Sequence, residues 1–184
     1  MGQTISQSDL AMGYSFNLLN PNVTKALEGD AALLPINGLY RKVNVPKDQR
    51  WNEKQINSQV MQGIQKGESI PKIAERLKNV TNMSHASAVR NARTMVTAAE
   101  NRGRLDSYQQ AEDDGIILKK TWLSIHDNRT RDWHRDLDGV TIPLNQPFEN
   151  AYGEIMFPGD PDAHPANVYN CRCTMIADVE GFAW

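Results

Sequence analysis

Only two cysteines, Cys171 and Cys173, occur among the 184 residues. That scarcity excludes a disulfide framework and points to a reducing compartment. No stretch approaches ~20 consecutive apolar residues, so no membrane-spanning helix is expected. The opening residues lack the basic-then-apolar order of a secretory signal, and export by that route is not expected. Internal repeats and regular strand–helix alternation are missing too, which removes solenoids and doubly wound folds. Net charge is small, −2 at neutral pH, but it is unevenly distributed. Residues 41–104 hold thirteen Lys and Arg against five Asp and Glu, a surplus of +8, and residues 105–184 hold six against fourteen, a deficit of −8. Such a split suits either a basic surface for an anionic partner or two faces that attract each other within the fold.

Residues 1–50 carry little periodic signal and several Pro, Asn and Gly breakers, so they are expected to form an extended N-terminal arm. Residues 51–113 read as a helical basic region. In it, Ile56, Val60, Met61 and Ile64 recur at helical spacing before a stop at Gly67. Ser69 is placed to cap a second helix with Pro71 in its first turn and Ile73, Leu77 and Val80 on one face. Ser84 opens a long third helix reaching about Asp113, with Ala88, Ala92, Met95, Val96, Ala99, Tyr108 and Ala111 on one stripe. Arg90, Arg93, Arg102 and Arg104 decorate that helix, either as a solvated face or as contacts for DNA phosphates. Residues 114–184 read as a compact region with strand candidates in "IILKKTWLSI", "GVTIPL" and "CRCTMIADV". Helices first and strands afterwards define an α+β class.

The densest chemistry lies in "IHDNRTRDWHRDLDG", residues 125–139, which brings together His126, Asp127, Arg129, Arg131, Asp132, His134, Asp136 and Asp138. Asp127 suits a loop-shaping role, accepting from backbone N–H groups and from an arginine. In an extended strand, Cys171 and Cys173 point to one face about 7 Å apart, too far for a disulfide. Two readings follow: a buried pair of small apolar thiols buttressed by His134, or a metal half-site. For the second, zinc is the candidate ion, with Cys171, Cys173, His134 and Asp127 as its candidate ligands and His126 or His164 competing for the fourth place. Arg172, on the opposite face, is placed to pair with an aspartate of the loop. The order His134, Asn145 or Asn150, then His164 offers a metal-dependent nuclease as an alternative, and Cys171 or Cys173 with His134 a nucleophile pair. Neither brings a recognisable substrate pocket.

Taken together, "RTMVTAAENRGRLDSYQQAEDDGIILKKTWLSIHDNRTRDWHRDLDGVTI", "MFPGDP" and "NVYNCRCTMI" resemble the Mu F-like minor head (head morphogenesis) proteins of tailed bacteriophages, over roughly residues 55–180. The order is the family's: a helix ending in Asn-Arg-Gly, a Trp-bearing strand, Asp-x-Arg-Thr-Arg with His beyond it, Leu-Asp-Gly and a closing Asn-Cys-Arg-Cys. The matching motif residues are Asp127, Arg129, Arg131, His134, Asp138 and Arg172. The resemblance implies a structural protein, not an enzyme, requiring no cofactor and present in several copies per virion. It implies a place inside the head, reached through the host cytoplasm, with the portal protein, the capsid interior and packaged double-stranded DNA as partners. Some members carry a C-terminal toxin domain, for which the residues beyond the Cys-Arg-Cys segment leave no room. A general DNA-binding module is the remaining alternative, sequence-independent because no base-reading motif is present.

Overall fold

The computed structural model describes residues 53–183, so the expected arm over residues 1–50 lies outside the described residues. Three helices come first. Helix α1 (Glu53–Gln65) buries Ile56, Val60 and Ile64 along one face. It ends where Gly67 turns to φ +63° and the Gly67 and Glu68 N–H groups cap the carbonyls of Ile64 and Gly63. Helix α2 (Ile70–Val80) starts at Ser69 with Pro71 in its first turn, and its buried face is Ile73, Ala74 and Leu77. Ser69 is the N-cap residue, but its backbone carbonyl rather than its hydroxyl takes the first N–H groups, those of Lys72 and Ile73. Gly63 lets the first two helices meet: a Cβ there would stand 2.5 Å from Ile73 Cγ1. Arg76 closes the turn with a forked bond to Glu68, Nη2 to Oε1 at 2.7 Å.

Helix α3 (His85–Asp113) is the spine of the fold, and its Ser84 cap accepts from the Ser87 N–H. At ~1.5 Å per residue it runs about 44 Å, long enough to serve two cores. Ala88, Ala92, Met95, Ala98 and Ala99 pack against α1 and α2. Further along, Leu105, Tyr108 and Ala111 pack against Ile116, Leu118, Leu144, Phe157 and Met175 of the following region. Small side chains on the first half permit close helix contact, while the second half meets a sheet.

Gly115, at φ +90°, turns the chain into strand β1 (Ile116–Leu123). After helical turn α4 (Asp132–Arg135) comes β2 (Thr141–Pro143), then β3 (Phe148–Asn150) and β4 (Gly153–Ile155). Helical turn α5 (Pro165–Val168) and β5 (Thr174–Phe182) complete the described elements. β1 lies between β2 and β5, antiparallel to both, and β3 and β4 form a separate hairpin. The architecture is α+β, as the order of helical and strand patterns indicates. A third core lies under the loops, built from Trp122, Leu137, Phe148, Ile155, Val168, Cys171 and Cys173.

Two strand candidates stand where the sequence places them, but the third starts later. β1 pairs with β5 only as far as Leu123 opposite Thr174. Residues 171–173 therefore have no strand partner, and the two cysteines precede the strand instead of lying in it. The Cys171 N–H closes a turn on the Val168 carbonyl, so strand geometry does not set the spacing of the two thiols. Both cysteines are nevertheless free.

Candidate functional site

The loop after β1 is held by carboxylates, each with several donors. Asp127 accepts both Arg172 guanidinium nitrogens at 2.7 Å, the Arg129 N–H at 3.0 Å and the Thr130 hydroxyl at 3.3 Å. The Arg172 fork holds the Asp127 carboxyl well below the usual carboxylate range, helped by the Arg129 N–H and opposed by partial desolvation. Asp138 takes the Ser124 N–H at 2.6 Å and His126 Nε2 at 2.6 Å, and these bonds likewise lower its pKa, the Ser124 N–H most. Arg131 caps α4 and donates to the Tyr169 carbonyl, whereas the Arg129 side chain stays largely exposed, 3.7 Å from Asp127. The loop is thus tied to the segment that carries the cysteines through two arginines. His126, Asp127, Asn128, Arg135 and Asp138 line an open surface hollow.

Beneath that loop α4 presents His134 inward. His134, Cys171 and Cys173 are 1%, 1% and 5% exposed, and their donor atoms lie within 4.8 Å of one another. His134 Nδ1 stands 3.5 Å from Cys173 Sγ and 3.8 Å from Cys171 Sγ, and Ser124 Oγ is 3.7 Å from Cys173 Sγ. The Ser124 hydroxyl also donates to the His134 carbonyl at 2.5 Å, fixing α4 against the end of β1. The Trp122 and His134 rings meet edge to face, centroids 5.4 Å apart. Hydrogen bonding to Cys173, with burial, pushes the Cys171 thiol up. The same contact pulls Cys173 down against burial, and His134 assists. Of the two sulfurs, these contacts favour the thiolate form at Cys173 over Cys171.

Of the four candidate ligands, these three come together and Asp127 does not, because Arg172 occupies both of its oxygens. The competitors are engaged elsewhere. His126 pairs with Asp138, and His164 caps α5 through Nδ1 while stacking on Tyr152. Asn150 exchanges hydrogen bonds with Asn167, and Asn145 is exposed. His134 faces thiols in the interior, not a solvent-filled cleft, which is poor geometry for activating water on a nucleic acid or for a Cys–His nucleophile.

The four arginines of α3 do not form one face. At ~100° per residue, Arg90, Arg93 and Arg104 share a sector about 60° wide, while Arg102 lies on the far side of the helix from Arg104. Arg90 and Arg102 are exposed, and lie over the rings of Tyr169 and Phe157. Arg93 donates to Asn170 at 3.0 Å, and Arg104, half-buried, hydrogen-bonds Tyr108.

Sequence reasoning missed the opposing clamp. Thr97 donates to the Cys171 carbonyl at 3.0 Å, and Asn101 to the Cys173 carbonyl at 3.3 Å. Thr94 takes the Asn170 N–H at 3.0 Å, supporting a residue in the left-handed region at φ +58°. The available signal was the spacing of Thr94, Thr97 and Asn101, polar residues set three and four apart beside an apolar stripe. Lys120 was missed too. It is fully buried, and its Nζ donates to the Met156 carbonyl at 2.8 Å.

Comparison with known proteins agrees with this arrangement of motifs. The model of the Phage Mu protein F like protein family matches residues 54–176. The minor head protein GP7 of Bacillus phage SPP1 is 34% identical over 124 residues, 66% of this chain and 39% of that protein. A protein named NAD(+)--arginine ADP-ribosyltransferase EFV, from Enterococcus faecalis, is 30% identical over 132 residues, 70% of this chain and 26% of the relative. The uncharacterized protein YqbB of Bacillus subtilis is 31% identical over 121 residues, 64% of this chain and 39% of the relative. The chain thus spans between about a quarter and two fifths of the length of these relatives. No solved structure matches it. Because the family match runs from α1 into β5 and takes in the Asp127 loop, His134 and both cysteines, the chain belongs to the Phage Mu protein F like family of bacteriophage minor head proteins.

Proposed function

We propose that this chain is a structural component of a phage head, bound at the portal on the inner side of the shell, and that it acts in head assembly and in packaging or delivery of the genome. The observation that carries the reading is the family match over residues 54–176, nearly all of the described fold, together with 34% identity to a minor head protein over 124 residues. The geometry supports a scaffold: the loop richest in chemical groups spends them on its own shape, through Asp127–Arg172, Asp138–Ser124 and Arg131–Tyr169. The basic surplus of residues 41–104 supports loose, sequence-independent contact with packaged DNA, driven by counterion release.

The reading assigns no turnover to the chain. The transferase name belongs to a relative of which this chain covers 26%, and we place the shared part on the head-assembly side of that protein. Capture of the tagged chain from assembling heads tests the proposal. Portal protein should be retained in excess over host proteins, and recovery without portal or shell subunits overturns it. Incubation with labelled NAD(+) and an arginine-rich acceptor should leave the acceptor unlabelled.

A further inference from the structure

We propose that His134, Cys171 and Cys173 hold one zinc(II) ion, which pins the loop after β1 to the segment before β5. Three observations converge on it. The donors are one imidazole and two thiols, a set that selects thiophilic metals over magnesium or calcium. Their ligating atoms lie within 4.8 Å of one another although the residues are 37 and 39 positions apart, so the fold and not the local chain assembles them. The donors are also held in place from behind. Thr97 and Asn101 fix the carbonyls of the two cysteines, and Ser124 fixes the carbonyl of His134 and lies beside Cys173 Sγ. Such outer bonds orient the ligands of a built site.

Charge selects the ion. Two thiolates and a neutral imidazole cancel a divalent cation, leaving no net charge in a setting where each ligand is 5% exposed or less. A monovalent soft cation would leave the cluster negative. Loading requires the loss of the thiol protons to solvent as two Zn–S bonds form, with no redox change. Zinc prefers four donors, and no fourth His, Cys, Asp or Glu joins the cluster among the described residues. The remaining position falls to water or another exogenous donor.

This inference is independent of the portal assignment, and its experiment needs no phage. The full chain is purified without chelator and analysed for metals, then heated before and after treatment with a strong chelator. About one equivalent of zinc is expected, with a melting temperature that falls on stripping and returns on adding one equivalent of zinc. Cys173→Ser, close to isosteric, should lose the zinc and the chelator response while keeping its helical spectrum. Asp127→Asn, outside the donor set, should keep both. Less than about one-tenth of an equivalent, roughly the level of adventitious binding, with both thiols reactive in the unfolded protein, overturns the site. So does zinc retained at full stoichiometry by the folded Cys173→Ser variant, or another metal in zinc's place.

Discussion

Asp127 joins a loop to a distant segment through one carboxylate, and its pKa direction fixes how the joint responds to acid. A carboxyl lowered in the folded state contributes stability that is present above its unfolded value, about 3.9, and is lost as pH falls through the folded value. Asp127→Asn should therefore melt below the parent at pH 7, and the gap should narrow on titration below pH 4. Asp132→Asn, which removes only an exposed i,i+3 pair with Arg135, should melt close to the parent at both pH values. Lys120 gives a pH slope of the same sign for a different reason, because burial disfavours its charged form instead of a partner favouring it. Burial pulls its amine down to about 8, against a weaker upward pull from Asp160. Between roughly pH 8 and the unfolded value near 10.4, the unfolded chain binds the extra proton, so this lysine makes stability rise with pH. Urea unfolding of the parent and Lys120→Met at pH 7, 8.5 and 10 should show the parent gaining on the variant. Tyr108, whose raised pKa acts the other way near pH 10, is common to both proteins and cancels in the difference.

At the scale of elements, α3 does more than fill the core, because its polar row holds the cysteine segment. Asn101 donates to the Cys173 carbonyl and accepts from the Thr174 hydroxyl at 3.1 Å. Asn101→Ala leaves the buried Cys173 carbonyl and the half-buried Thr174 hydroxyl without that partner and should cost about 1–3 kcal/mol in urea unfolding. Gln109→Ala, on the exposed side of the same helix, should stay within about 0.5 kcal/mol. Gly159 tests the other contact with α3. Its φ is +85° and an added Cβ would lie 3.1 Å from the Ala98 nitrogen, so Gly159→Ala should destabilise by about 1–3 kcal/mol. The three helices and their caps were legible in the sequence because apolar spacing and Ser or Gly at the ends are local signals. The start of β5 was not, because it is set by how far β1 reaches across the sheet. For the same reason the β3–β4 hairpin passed as loop: its three-residue strands show no alternation, and only pairing defines them. The His134 and cysteine cluster was legible as chemistry, whereas the exclusion of Asp127 from it depends on Arg172, 45 residues away.

Across the described residues, the helical part 53–113 holds nine Lys and Arg against seven Asp and Glu and the sheet and loops of 114–183 six against eleven, so the acidic surplus on the second part directs any phosphate contact to the helices. The fold narrows that contact further. Arg93 is already bonded to Asn170 and Arg104 to Tyr108, whereas Arg90 and Arg102 are exposed, Arg90 across the Tyr169 ring and Arg102 across the Phe157 ring with a weak surface ion pair to Asp106 at 3.1 Å that leaves it open to a phosphate. Each arginine that neutralises a phosphate of duplex DNA contributes about 0.9 to the slope of log affinity against log salt. Replacing Arg90 and Arg102 with Gln should weaken binding to a random-sequence duplex and flatten that slope by about two units. Adding Arg93→Gln and Arg104→Gln should flatten it little more, because those guanidiniums serve the fold, and should instead lower the melting temperature. Fluorescence anisotropy at several salt concentrations, with circular dichroism to verify folding, measures both effects. An unchanged slope in the Arg90 and Arg102 double variant removes α3 as the phosphate contact and leaves the charge split to attraction between the two parts of the fold or between neighbouring copies.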